Sequence, residues 1–138
     1  MRRILIAVSF AASQFCAAAF AGEAEIKAAQ GTIQNQLEAF KAGNDEAAYS
    51  FAAPNVKKIF PSLDIFMNMV TGAYKPVHKP QNYAFGKVEE SSTQIIQQVM
   101  IVGPDGKDYE AVYTLELQPD GVYRITGVSL RASNSLST

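Results

Sequence analysis

The stretch PDGKDYEAVYTLELQPDG, residues 104–121, decides the fold. Each Pro-Asp-Gly triplet carries tight-turn chemistry: proline presets φ, aspartate bonds nearby backbone, and glycine accepts the positive φ. Between the triplets the residues alternate. Tyr109, Ala111, Tyr113, Leu115 and Leu117 fall on one side, with Asp108, Glu110, Thr114 and Glu116 on the other. A period of two with one greasy side predicts a half-buried strand, Asp108 to Gln118. Tight turns at both ends predict antiparallel neighbours, Thr93 to Val102 before it and Val122 to Ala132 after it.

Further upstream, Tyr83 to Glu90 reads as a fourth strand. The second strand is apolar on both sides, with Ile95, Val99 and Ile101 facing one way and Ile96, Met100 and Val102 the other. Both of its faces are therefore expected to be at least partly covered.

Ahead of the strands the period changes. Ile26, Ala29, Ile33, Leu37 and Phe40 are spaced as one face of a helix, with Lys27, Gln34, Asn35, Glu38 and Lys41 between them. Gly31 weakens the early turns by about 1 kcal/mol, and Gly43 is placed to end the helix. A short helix from Glu46 to Ala53 follows, capped by Asn44 or Asp45, with the capping carboxylate of Asp45 favoured. Pro54 closes it, and one further turn carries Val56, Ile59 and Phe60. Ser62 is a fitting N-cap for a helix with Leu63, Phe66, Met67 and Val70 on its apolar face, broken at Gly72. The prolines of Tyr74-Lys75-Pro76-Val77-His78-Lys79-Pro80 predict a non-helical crossover. Helices first and a meander afterwards give the α+β class: helices packed on one side of a curved, four-stranded antiparallel sheet.

The N-terminus stands apart. Met1-Arg2-Arg3 precedes the apolar run Ile4 to Ala12, and Ala19-Phe20-Ala21 offers an A-x-A cleavage pattern. This is the layout of a secretory signal peptide over residues 1–21, cut before Gly22, with 22–138 as a single domain. Ser9, Ser13 and Gln14 interrupt the run short of the roughly 20 apolar residues of a membrane span. Gln14 and Phe15 before Cys16 disfavour lipidation there. Cleavage removes the one cysteine, and thiol chemistry with it. It also leaves ten basic residues against thirteen acidic ones, a net charge of −3 over 117 residues. The expected compartment is the bacterial periplasm. With 48% hydrophobic and 18% charged residues and no basic run, disorder and nucleic acid as a main partner are excluded.

Several phrases resemble a known family. Gln36-Leu37-Glu38-Ala39-Phe40, then Asp45 and Ala48-Tyr49, resemble the opening helices of the nuclear transport factor 2-like (cystatin-like) superfamily. Asp120-Gly121-Val122-Tyr123-Arg124-Ile125-Thr126-Gly127 is similar to its last strand, with Tyr123 where a tryptophan is more usual. Ala53-Pro54-Asn55-Val56, Ile59-Phe60-Pro61, Phe66-Met67-Asn68-Met69-Val70 and Tyr74-Lys75-Pro76-Val77 resemble a narrower family of exported bacterial proteins, domain of unknown function 4864. The resemblance spans about residues 26–132. It implies a cone of helices on a bent sheet and an exported protein, and it brings no activity.

The chemistry-bearing residues are sparse. His78 is the one histidine, flanked by Lys75 and Lys79, and no neighbour in sequence supplies an orienting carboxylate. Asp45 and Asp64 have helix-start positions, Asp105 and Asp120 are turn residues, and Glu89 and Glu90 are read as solvated. There is no phosphate loop, nucleophile elbow, HExxH or calcium loop, so no catalytic residue, cofactor or metal is assigned. What remains is an aromatic and methionine supply near the helix-to-sheet crossover. Phe66, Met69, Tyr74, His78, Tyr83 and Phe85 are the candidate pocket residues. The expected function is a non-catalytic module binding a small apolar or amphipathic ligand. The alternatives are a protein-interaction or homodimer module using Ile96 and Met100 on the outer sheet face, and third an isomerase- or dehydratase-like enzyme, which needs a carboxylate inside the hollow beside a tyrosine.

Overall fold

A computed structural model of the chain describes residues 15–133. Residues 1–14 of the expected leader lie outside the described residues. The element order is helices α1 (Phe15–Ala42), α2 (Asp45–Ser50), α3 (Pro54–Ile59), α4 (Leu63–Ala73) and α5 (Lys75–His78), followed by strands β1 (Asn82–Ser91), β2 (Gln94–Val102), β3 (Asp108–Leu117) and β4 (Tyr123–Ala132). The strands form one antiparallel sheet in the order β1-β2-β3-β4. Both Pro-Asp-Gly turns are as read: Gly106 and Gly121 take φ of 77° and 84°, and Asp105 and Asp120 accept from the amides of Lys107 and Val122.

The helical half departs from expectation in several places. Helix α1 starts at Phe15 instead of Ile26, so the predicted cleavage bond lies within it; Glu23, Ala24 and Glu25 are good helix formers. Asn44, and not Asp45, caps α2, its side-chain oxygen accepting from the Ala47 amide at 3.2 Å, while Asp45 becomes the first helical residue. Helix α2 stops at Ser50 because the backbone beyond it turns to pair with β4, through Ala53 N–H to Ile125 O (2.8 Å) and Ile125 N–H to Phe51 O (2.9 Å). Pro54 then opens α3, where its missing N–H costs nothing. Helix α4 runs past Gly72 to Ala73, and the proline-rich crossover holds a helical turn with Pro76 at its start. Ser62 caps α4 as predicted, accepting from the Ile65 amide.

Two irregularities bend the sheet. Gly86 and Lys87 of β1 stand opposite the single residue Gln98, and Thr126 of β4 is the extra residue against the Thr114–Leu115 step. Each is a bulge, which bends its strand and increases its twist. The β1 bulge frees backbone groups that two glutamines satisfy. Gln98 Oε1 accepts from the Lys87 amide at 3.0 Å, and Gln97 Nε2 donates to the carbonyls of Gly86 and Lys87 at 3.2 and 3.3 Å. A Cβ on Gly86 would stand 2.5 Å from Gln98 Oε1, so the site admits glycine alone without rearrangement.

The core lies between the inner sheet face and α1. Ile33, Leu37 and Phe40 pack on Ile95, Val99, Ala111, Tyr113 and Leu115, all buried. Gln97, on the same inward face as Ile95 and Val99, is 0% exposed, and its Oε1 accepts from Gln30 Nε2 of α1 at 3.0 Å. Gln97→Leu keeps the volume but orphans the bulge carbonyls and the Gln30 amide. The expected loss is about 1–3 kcal/mol of unfolding free energy, read from the urea midpoint; an unchanged midpoint would contradict the staple.

Candidate functional site

The sequence of α2 to α5 builds a ring of apolar walls around one end of β4. Helix α3 is drawn to the strand by the Ala52–Ile125 bridge and by Asn55 Nδ2 donating to Thr126 O at 3.0 Å. Helix α4 brings Phe66 against Phe40 and Tyr49, at ring separations of 6.3 and 4.9 Å. Past α4, the Tyr74 hydroxyl donates to Val128 O at 3.0 Å and closes the far side. The elements enclose a cavity of about 250 Å³. Its walls are Gln36 and Phe40 of α1, Ala52, Val56, Ile59 and Phe60, then Phe66, Met69 and Val70, Tyr74 and Val77, and residues 125–128 of β4. No carboxylate, imidazole, thiol or ammonium lines it. The Gln36 amide is occupied, donating to Ala48 O at 3.1 Å.

A second concavity, of about 440 Å³, lies on the other side of α1, against β1. Gln34, Leu37, Glu38 and Lys41 face Gln81, Asn82, Tyr83 and Phe85 there. The candidate pocket residues therefore divide. Phe66, Met69 and Tyr74 share the apolar cavity, Tyr83 and Phe85 share the polar groove, and α1 separates the two sets. His78 lines neither; its ring packs edge-on to Phe40 at 5.6 Å. A larger depression of about 830 Å³ around Pro54, Glu116 and Pro119 lies open to solvent.

The electrostatics match this division. Burial first and Lys79 second hold the His78 imidazole below its ordinary range, with Asp45 of α2 opposing them. At the groove, Glu38 Oε1 stands 3.5 Å from the Tyr83 hydroxyl; burial, followed by this carboxylate, pushes the phenol up. Glu38 is exposed, and no acidic residue among residues 22–133 is buried. Glu90 is exposed as read, and the carboxyl of Glu25 on α1 beside it holds it above the usual carboxylate range. Among the described residues no group of three His, Cys, Asp or Glu could hold a metal.

Sequence reasoning missed the inward glutamines and the hydroxyl of Tyr113. Gln36 and Gln97 lie in register with apolar neighbours, at one helical turn before Phe40 and on the Ile95–Val99 face, and that register was the available signal. Tyr113 is 0% exposed, and its hydroxyl has no hydrogen-bond partner among the described residues.

The sequence profile of the family described as domain of unknown function (DUF4864) matches residues 22–138. The chain belongs to this family. Two solved structures share the fold of this DUF4864 protein. A nuclear transport factor 2-like protein of unknown function from Silicibacter pomeroyi DSS-3 is 17% identical, with a TM-score of 0.59 over 81% of this chain and 98% of its own. A second such protein of unknown function, from Burkholderia xenovorans LB400, is 10% identical, with a TM-score of 0.53 over 83% and 89%. No curated protein matches the DUF4864 chain significantly. The nuclear transport factor 2-like architecture read from the residues is thus the observed one, and both solved neighbours leave function open.

Burial raises the Tyr113 phenol above its ordinary value, with Tyr83 a smaller contribution. Above about pH 10 the unfolded chain releases this proton while the folded chain keeps it, so stability falls as pH rises. Tyr113→Phe is expected to be neutral or stabilising by up to about 1 kcal/mol at pH 7, and to lessen the alkaline loss seen in urea unfolding. A neutral-pH loss above about 1 kcal/mol would reveal a partner for the hydroxyl.

Proposed function

We propose that this DUF4864 protein is a non-catalytic module that holds a small apolar or amphipathic ligand in the cavity between α1, α3, α4, α5 and β4. The observation that carries this reading is the cavity's composition. Its walls come from four helices and a strand, they are mostly apolar or aromatic, and they offer no acid, base or nucleophile positioned for chemistry. Binding sites of this kind combine apolar walls with a few polar groups that orient the ligand. Here the hydroxyls of Thr126 and Tyr74, which already donate to the carbonyls of Thr114 and Val128, keep an acceptor lone pair for this role. Met69 gives the wall some adaptability.

The module acts after export, in the bacterial periplasm, with residues 1–21 removed. The charged start, apolar run and Ala19-Phe20-Ala21 pattern support this, and the family match begins at Gly22, the first residue after the expected cut. No helix among the described residues is long and apolar enough to cross a membrane.

Native mass spectrometry of the chain, produced in a bacterium and exposed to a total lipid and metabolite extract, tests both parts. The expected result is a protein lacking residues 1–21 that carries a small molecule removable by gentle activation. Repeated recovery of an empty protein would contradict the binding reading, and an intact N-terminus would contradict export.

A second reading has its own observation. On the outer sheet face Ile96, Met100, Val102 and Val112 are only half-buried. The Glu110–Arg131 ion pair, at 2.8 Å, lies beside Val112 on that face. A homodimer through this face would be seen by light scattering at micromolar concentration, and Met100→Lys would split it. A strict monomer would remove this reading and leave the cavity reading untouched.

A further inference from the structure

Three large apolar side chains are well exposed among the described residues, and one of them, Ile59 of α3 at 68%, is part of the cavity lining. The rim is therefore greasy at α3, where the cavity meets solvent. Lys57 and Lys58 come directly before Ile59, and neither forms an ion pair among the described residues. Lys57 is also positioned: its Nζ sits 5.3 Å from the centre of the Tyr49 ring, and that ring packs on Phe66. An ammonium is thus fixed one ring away from the cavity wall. Because no charged group lines the interior, a ligand's charged end must stay at the rim, and Lys57, held one ring from the wall with the exposed Lys58 next in sequence, is the cation placed to meet it.

From this arrangement we infer that the ligand is a single-chain anionic amphiphile, its tail in the cavity and its carboxylate-type head against Lys57 and Lys58. The inference rests on the binding reading above and narrows it. Size agrees: an engineered cavity of roughly 150 Å³ accepts benzene, so about 250 Å³ suits a chain of roughly eight to ten carbons. The competing account of the two lysines is local. Cations in the last turn of α3 suit the helix dipole, and such a role would influence stability without selecting a head group.

The test measures the purified chain by isothermal titration with decanoate, 1-decanol and decylammonium, each below its aggregation concentration. Decanoate is expected to bind roughly three- to ten-fold tighter than 1-decanol, the gain one or two partly screened ion pairs supply, with decylammonium the weakest. In K57Q/K58Q, decanoate should fall to the affinity of 1-decanol while 1-decanol is unchanged. Equal binding of decanoate and 1-decanol by the native chain, or selectivity that persists in the double variant, overturns the head-group assignment and leaves the cavity reading standing. Binding of none of the three overturns the cavity reading together with this inference.

Discussion

Helix α1 is held across the inner sheet face by polar side chains that emerge from its apolar stripe, and the other features depend on that placement. Gln30 donates to Gln97 of β2, the Thr32 hydroxyl donates to Tyr123 O of β4 at 2.8 Å, and Gln36 donates to Ala48 O of α2. At the end of the helix, Lys79 Nζ donates to Phe40 O at 2.7 Å and adds a cation where the dipole favours one. An apolar face alone tolerates small rolls and slides, because dispersion contacts are short-ranged but not directional. Buried hydrogen bonds are directional, and breaking one leaves two desolvated groups unpaired. These bonds fix both the rotation and the height of α1. Its rotation decides that Gln36 and Phe40 wall the apolar cavity while Gln34, Leu37 and Glu38 wall the groove.

The sheet half was legible because its signals are local. Proline, aspartate and glycine at each turn, with alternation between the turns, place three strands to within about a residue at each end. The helical half was less legible where long-range contacts override local preference. Nothing near Ser50 announces that α2 must stop so that Phe51 and Ala53 can pair with Ile125. Pro54, read as closing α2, and Pro76 of the crossover instead sit in first turns, where they are tolerated. The β1 bulge was invisible for a related reason. Its freed backbone groups are matched by the side chains of Gln97 and Gln98 on β2, eleven residues away.

The candidate site was half legible. Residue type identified an apolar and aromatic supply, and Phe66, Met69 and Tyr74 do meet in one cavity. Proximity to the crossover in sequence could not reveal that a helix from the opposite end of the chain divides the space, sending Tyr83 and Phe85 to the groove. The chemical reading follows from the same division. Two carboxylates stand by tyrosine hydroxyls, Asp105 at 2.6 Å from Tyr109 and Glu38 at 3.5 Å from Tyr83, and both are exposed, outside the apolar cavity.

Methyl NMR of the protein under xenon pressure tests the central claim, that α1 partitions the hollow and leaves one dry apolar chamber. Xenon seeks apolar voids without regard to head groups. The account predicts shift changes confined to the methyls that line the chamber, among them Val56, Met69, Val70, Val77, Ile125 and Val128. Changes that spread to Ala84 of the groove, or none in the chamber, would show that the interior is continuous or already filled.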